Sequence, residues 1–199
     1  MTFDTLSAMA SLMAATMWTP GPNNAMLAAS GATFGFGRTL PHMAGVALGF
    51  GLMLGLVSLG LGGVLDRFPQ AYDLMRWVGA LVFLWVAWKI ANGGRARASA
   101  DARPFTFLQA ASFQWINPKA WAMCAALVSQ FVTGTAPLRE ALIMGGLAAC
   151  VGATSATGWA GFGAALQGWL AVGARLRIFN ITMAAIIVLG VLGLLMWQG

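Results

Sequence analysis

Two apolar segments of this chain are interrupted near their middles by proline in polar company. The first interruption reads Thr19-Pro20-Gly21-Pro22-Asn23-Asn24, and the second Gln114-Trp115-Ile116-Asn117-Pro118-Lys119. Each lies within a stretch of roughly 28 residues that is otherwise apolar enough to cross a bilayer. A broken membrane helix leaves backbone N–H and C=O groups unpaired in a medium that cannot solvate them. Such breaks survive where they are buried in protein or line a polar cavity. Paired breaks at corresponding places in two half-chains point to the substrate site of a transporter.

Composition agrees with a membrane protein. Of 199 residues, 59% are hydrophobic and only 8% charged, against about 25% charged in soluble domains. The mean hydropathy is +0.78. The 26 glycines suit close packing between membrane helices. The net charge of +6 does not indicate nucleic acid, because the basic residues sit in short loops between apolar segments, where positive charge sets orientation. The N-terminus does not read as a signal peptide: it carries Asp4, no Lys or Arg, and no polar mature region after the first apolar run. Cys124 and Cys150 fall inside apolar spans and read as buried thiols, with no metal-ligand spacing.

The pattern predicts an all-α membrane protein with six transmembrane helices over 5–33, 41–64, 74–92, 105–132, 140–164 and 177–198. The basic, helix-breaking stretch 93–104 reads as a cytoplasmic linker between a first three-helix repeat, 1–92, and a second, 105–199. With that linker in the cytoplasm, the inner loops hold Arg38, Lys89, Arg95, Arg97, Arg103, Arg175 and Arg177, and the outer loops Arg67, Arg76 and Arg139, seven against three. The bias puts both termini outside the cytoplasm. Three spans per half would make the repeats inverted, with the broken first and fourth helices meeting near the midplane.

The breaks carry chemistry. Proline suits the first position of a helix, and Thr and Asn are good N-caps. Thr19-Pro20 and Asn117-Pro118 therefore read as starts of new half-helices. Their N-termini present free N–H groups and the positive dipole end. Lys119 adds a full charge at a helix centre, at a cost of roughly 2.5–3.5 kcal/mol on insertion scales. Such a site favours an anion, and a carboxylate is the natural small one. The bland alternative, two structural kinks, fits one proline better than two matched breaks with a central lysine.

Other residues are weaker signals. His42 has the titration range for a proton relay, although a lone histidine near a span end is commonly a satisfied interfacial residue. Asp66 and Asp73 read as solvated near outer span ends. Gly31-xxx-Gly35, Gly45-xxx-Gly49 and Gly51-xxx-Gly55 are small-residue packing patterns.

Thr19-Pro20-Gly21-Pro22-Asn23, followed by Gly31, Gly35, Gly37-Arg38 and Gly45-xxx-Gly49, resembles the first half of the LysE/RhtB family of amino-acid exporters. Phe83-Leu84-Trp85-Val86-Ala87-Trp88-Lys89 is similar to the end of that family's third span. Phe107, Asn117-Pro118-Lys119-Ala120 and Gln130-Phe131-Val132 resemble its second half. The resemblance runs in order along nearly the whole chain. It implies a multi-pass secondary transporter of the bacterial inner membrane, an antiporter exporting amino acids or close derivatives with the proton gradient. It makes Pro20, Gly21, Pro22, Asn23, Asn117, Pro118 and Lys119 signature positions, with Asn24 beside them.

Two further readings stay open at this point: an exporter of cations or other small solutes, and a non-transport membrane enzyme or assembly factor. Cation sites usually need acidic side chains, and none lies deep in a span. No catalytic set or nucleotide loop is present in the sequence. The electrostatics favour a neutral, zwitterionic substrate. The expected partners are that amino acid, the lipid bilayer and a second copy in a homodimer, with no nucleic acid, cofactor or metal.

Overall fold

The computed structural model describes residues 1–61, 69–92 and 103–196. Most of the 93–104 linker, Asp66 and Arg67 lie outside the described residues, as does the side chain of Asp73. All regular structure among the described residues is helical. The helices are α1 (Phe3–Trp18), α2 (Pro22–Phe34), α3 (Phe36–Leu56), α4 (Pro69–Ala91), α5 (Phe107–Trp115), α6 (Pro118–Phe131), α7 (Pro137–Ala165), α8 (Gln167–Leu170) and α9 (Arg175–Met196). A wider π-type turn, Val57–Leu61, extends α3 and ends its regular course at Gly60, whose φ of 110° suits glycine.

Both predicted breaks are present: α1 and α2 divide the first apolar segment, and α5 and α6 divide the fourth. Three helical stretches are long and apolar enough to cross a membrane, Phe36–Gly60, Pro137–Ala165 and Arg175–Gly193, and Trp77–Ala91 is a shorter apolar one. The half-helices are individually too short. The second predicted span was expected to begin at Pro41, but α3 begins at Phe36 and carries Pro41 inside it. Glycine at position 35, with φ 82°, turns the corner between α2 and α3, so the helix can start before the proline. Pro41 then costs one backbone bond near an end rather than breaking the span.

Polar side chains fix the helix ends. Thr106 and Gln109 form a reciprocal capping box on α5. At the turn into α7, the Glu140 carboxylate accepts from Thr133 N (3.2 Å), Gly134 N (3.1 Å) and the Thr133 hydroxyl. That clasp occupies the acid at a helix end, away from the breaks.

Glycine sets the packing. A Cβ on Gly51 would lie 2.7 Å from Gly145 O, and one on Gly145 would lie 2.8 Å from Gly51 O, so the backbones of α3 and α7 touch. Gly45 and Gly49 press in the same way on α5, at Phe107 O, Ala110 and Ala111. Gly31 and Gly163 meet the carbonyls of Ala160 and Ala28 where α2 crosses α7. The Gly45/Gly49 and Gly51/Gly55 patterns are thus helix contacts, whereas Gly35 forms a corner. One apolar core joins α1, α3, α6 and α7 through Met9, Met13, Phe50, Trp121 and Leu127. A second joins α2, α4, α5 and α9 through Met26, Phe83, Phe113 and Ile187. Outward-facing Leu52, Trp88, Leu142 and Leu189 form an apolar exterior suited to lipid. Cys124 is buried as expected, but Cys150 is exposed, because it lies on the outward side of α7.

Candidate functional site

The two breaks come together. The first helix half ends at Trp18, and Thr19 closes it by donating its hydroxyl back to Ala15 O (2.5 Å). Thr19 therefore ends α1 and does not start α2. Extended Gly21 is the N-cap of α2, with Pro22 at the first helical position. At the second break the expectation holds: Asn117 caps α6, and its Oδ1 accepts from Lys119 N at 3.1 Å.

The carbonyls freed by the breaks are taken up by side chains. Asn24 Nδ2 donates to Met17 O (2.8 Å) and Thr19 O (2.9 Å). Ser155 of α7 also donates to Met17 O, at 2.9 Å. Trp121 Nε1 donates to Trp115 O at 2.8 Å. Lys119 Nζ spans from the second break to the first and donates to Thr19 O at 3.0 Å. Its ammonium lies over Gly21, where a Cβ would stand 3.1 Å from Nζ. Asn23 Nδ2 donates to Gln114 Oε1 at 2.8 Å, a second bond between the breaks, and Gln114 Nε2 donates to Ala110 O.

These groups surround a cavity of about 60 Å³. Gly21, Asn23, Asn24, Asn117 and Lys119 line it, as the sequence leads one to expect, together with Gln114 and Ser155. Its apolar wall is Met17, Val46, Phe50, Ala120, Met123 and Ala156, with Gly152. Water-sized sites need roughly 10–15 Å³ each by this measure, so the space suits a few waters or a small polar solute. Pro20, Pro22 and Pro118 do not line it. Pro20 is exposed, and the other two pack against glycines, Pro22 on Gly190 of α9 and Pro118 on Gly79 of α4. Their part is to shape the breaks.

His42 is likewise outside the cavity lining. It is 1% exposed, its ring packs on Phe105 with centroids 5.3 Å apart, and neither ring nitrogen has a hydrogen-bond partner. It is therefore a deeply buried histidine, not a satisfied interfacial one. Gln114 and Ser155 escaped the sequence reading. Gln114 stood inside the quoted second break, and Ser155 sits in the small polar run Thr154-Ser155 of an otherwise apolar helix. Among the described residues no group of three His, Cys, Asp or Glu side chains could hold a metal.

A family model for LysE type translocators matches residues 14–198. The chain belongs to the LysE family. Among relatives of this translocator, the cysteine/O-acetylserine efflux protein of Escherichia coli K12 is 34% identical over 135 residues, 66% of this chain and 68% of its own. That of Shigella flexneri is 34% identical over 120 residues, 59% and 60% of the two chains. That of Escherichia coli O1:K1 / APEC is 33% identical over 135 residues. No solved structure matches. A LysE translocator is a transporter and not an enzyme, and it is a membrane protein.

Proposed function

We propose that this translocator exports small, neutral, zwitterionic amino acids or their derivatives across the bacterial inner membrane, through the cavity between its two helix breaks. The observation that carries the proposal is the convergence of Lys119, Asn23 and Asn24 on one small cavity, with the Lys119 ammonium held by the freed carbonyl of Thr19. The Lys119–Thr19 contact suggests how a zwitterion binds. A substrate carboxylate takes the ammonium of Lys119, and the released Thr19 carbonyl accepts from the substrate α-ammonium. One hydrogen bond between the breaks is exchanged for two through the ligand, both charge-assisted. Among the described residues no carboxylate lines the cavity, so a second ammonium, as on lysine, finds no counter-ion. The bacterial relatives are named for cysteine and O-acetylserine, both small neutral zwitterions of the kind this reading requires.

Six spans in two inverted repeats form the proposed frame. Its support is that the two broken segments are met in matching ways: Gly79 of α4 sits on Ile116 O and Pro118, and Gly190 of α9 sits on Pro22. The remaining pair, α3 and α7, meets glycine to glycine. Coupling is to the proton gradient, as antiport, with His42 as the proton carrier; its unpartnered ring nitrogens support that role. A homodimer is the proposed assembly.

Efflux from preloaded vesicles, with each amino acid tested in turn, decides the substrate. Cysteine, O-acetylserine or similar neutral solutes should leave faster than in vesicles lacking the protein. Preferential export of lysine or arginine overturns the electrostatic argument.

A further inference from the structure

On the side away from the linker, the cavity is closed by an apolar seam between two half-helices. Met17, Phe50 and Ala120 line the cavity, and the same three residues belong to the core that holds Met9 and Met13 of α1 and Cys124 and Leu127 of α6. Leu6 of α1 and Phe131 of α6 pack against that core, next to the loop that Glu140 clasps. From Met17 to Leu6, and from Ala120 to Phe131, the helices run about 16 Å, roughly half of a hydrocarbon core about 30 Å thick. The seam therefore reaches from the cavity to the end of the bundle opposite the linker.

The two half-helices are held in different ways. α1 rests chiefly on α7 and touches α6 at fewer points. Its end is fixed to α7 by Ser155, which donates to Met17 O, and by Trp18, whose Nε1 donates to the Thr154 hydroxyl at 3.3 Å. The Trp18 ring also fills the space that a Cβ on Gly158 would take. Among the described residues one hydrogen bond joins α1 to α6, from Lys119 Nζ to Thr19 O at the cavity end. Apart from Lys119, neither half-helix carries a buried polar residue among those described. The buried face of α1 is a ladder of methionines one helical turn apart, Met9, Met13 and Met17, and Met53 and Met144 belong to the same core. Unbranched thioether side chains adapt to a changing neighbour more readily than branched ones.

We propose that this seam is the exit path of the substrate, opened by the substrate itself. The proposal rests on the exporter reading above, in which a zwitterion comes between Lys119 Nζ and Thr19 O. Two hydrogen bonds in series through a ligand hold those atoms farther apart than one bond at 3.0 Å. The ligand thus binds the parted seam better than the closed one, and that difference shifts the population toward the open state. The solute leaves along the methionine face, and the seam closes when Lys119 returns to Thr19 O.

The chain carries its own reporter, since Cys124 is fully buried within the seam. A Cys150→Ala variant leaves it as the reactive thiol. Met13→Cys, in a background with both native cysteines replaced by alanine, reports from the α1 side. Ile187→Cys in that background, fully buried in the other core, is the reference. Right-side-out vesicles are preloaded with O-acetylserine, serine, threonine and leucine, and a membrane-impermeant thiosulfonate is added outside. Labelling of Cys124 and Met13→Cys should be at least about fivefold faster than in empty vesicles, because the rate follows the open population. The reference should not change, and reagent applied to the linker face of inverted vesicles should not reach the seam. The adduct should block export, and reduction should restore it. Cys124 decides if Met13→Cys does not fold. Export without faster labelling of Cys124, or export that continues with Cys124 fully modified, overturns the seam as the exit. Equal acceleration at Ile187→Cys shows general loosening and also overturns it. Vesicles that export no amino acid overturn the exporter reading instead.

Discussion

Lys119 holds a backbone carbonyl across a gap between two half-helices, and that contact makes its contribution measurable. Lys119→Met keeps length and apolar packing and removes the ammonium. Membrane levels should hold, and export should fall at least about tenfold, the equivalent of roughly 1.4 kcal/mol of lost binding. Lys119→Arg should also be impaired, because a planar fork does not replace a compact ammonium over Gly21. Export by Lys119→Met at the parental rate would place the site elsewhere. The Asn23–Gln114 bond at 2.8 Å predicts a second outcome. In a double-mutant cycle of Asn23→Ala and Gln114→Ala, the apparent stabilities should show a coupling of about 0.5–1.5 kcal/mol; additive losses would deny the bond. Lys119, Asn23 and Asn117 were legible in the sequence because charge and amides are conspicuous in an apolar run. Ser155 and Thr19 O were not: a lone serine is unremarkable, and which carbonyl a break frees depends on where the chain turns. The choice of Gly21 over Thr19 as the cap of α2 shows the same limit. Both residues are acceptable caps, and the second proline, Pro22, decided between them by fitting the first helical position.

At the scale of elements, each break is pressed from outside by a glycine of a neighbouring helix. The two contacts differ in stiffness. A Cβ on Gly79 would run into the backbone carbonyl of Ile116, whereas one on Gly190 would meet only the Pro22 ring, at 3.1 and 3.3 Å. Gly79→Ala should therefore lower stability by about 1–3 kcal/mol, the usual range for overpacking, and Gly190→Ala by clearly less. Thermal unfolding of the two variants in detergent checks the order, and a reversed order would mean that α4 yields more readily than α9. The three stretches long enough to cross a membrane were legible from apolar length, and the breaks from proline. The early start of α3 was not, because a proline near a helix start reads as a boundary, and only the corner at Gly35 reveals that the helix is already under way.

For the whole molecule, the charge bias predicts the orientation: a reporter active only in the cytoplasm, fused after Gly199, should stay silent, and strong activity there would remove the six-span arrangement. The interior predicts where motion is confined. Along α3 and α7 the main chains themselves are in contact, from Ala47 beside Gly152, through Gly51 and Gly145, to Gly55 beside Ala141. Val46 and Phe50 from one and Gly152, Ser155 and Ala156 from the other form one wall of the cavity, while the half-helices form the opposite wall. Amides of 45–55 and 141–152 should exchange hydrogen slowest in the chain, and those of 17–24 and 114–119 should change most when substrate is added, since exchange follows local opening. Where their backbones meet, at Gly51 and Gly145, the two helices have little side chain between them to reshuffle. They are the keel of this translocator, held still so that the jointed timbers against it can swing.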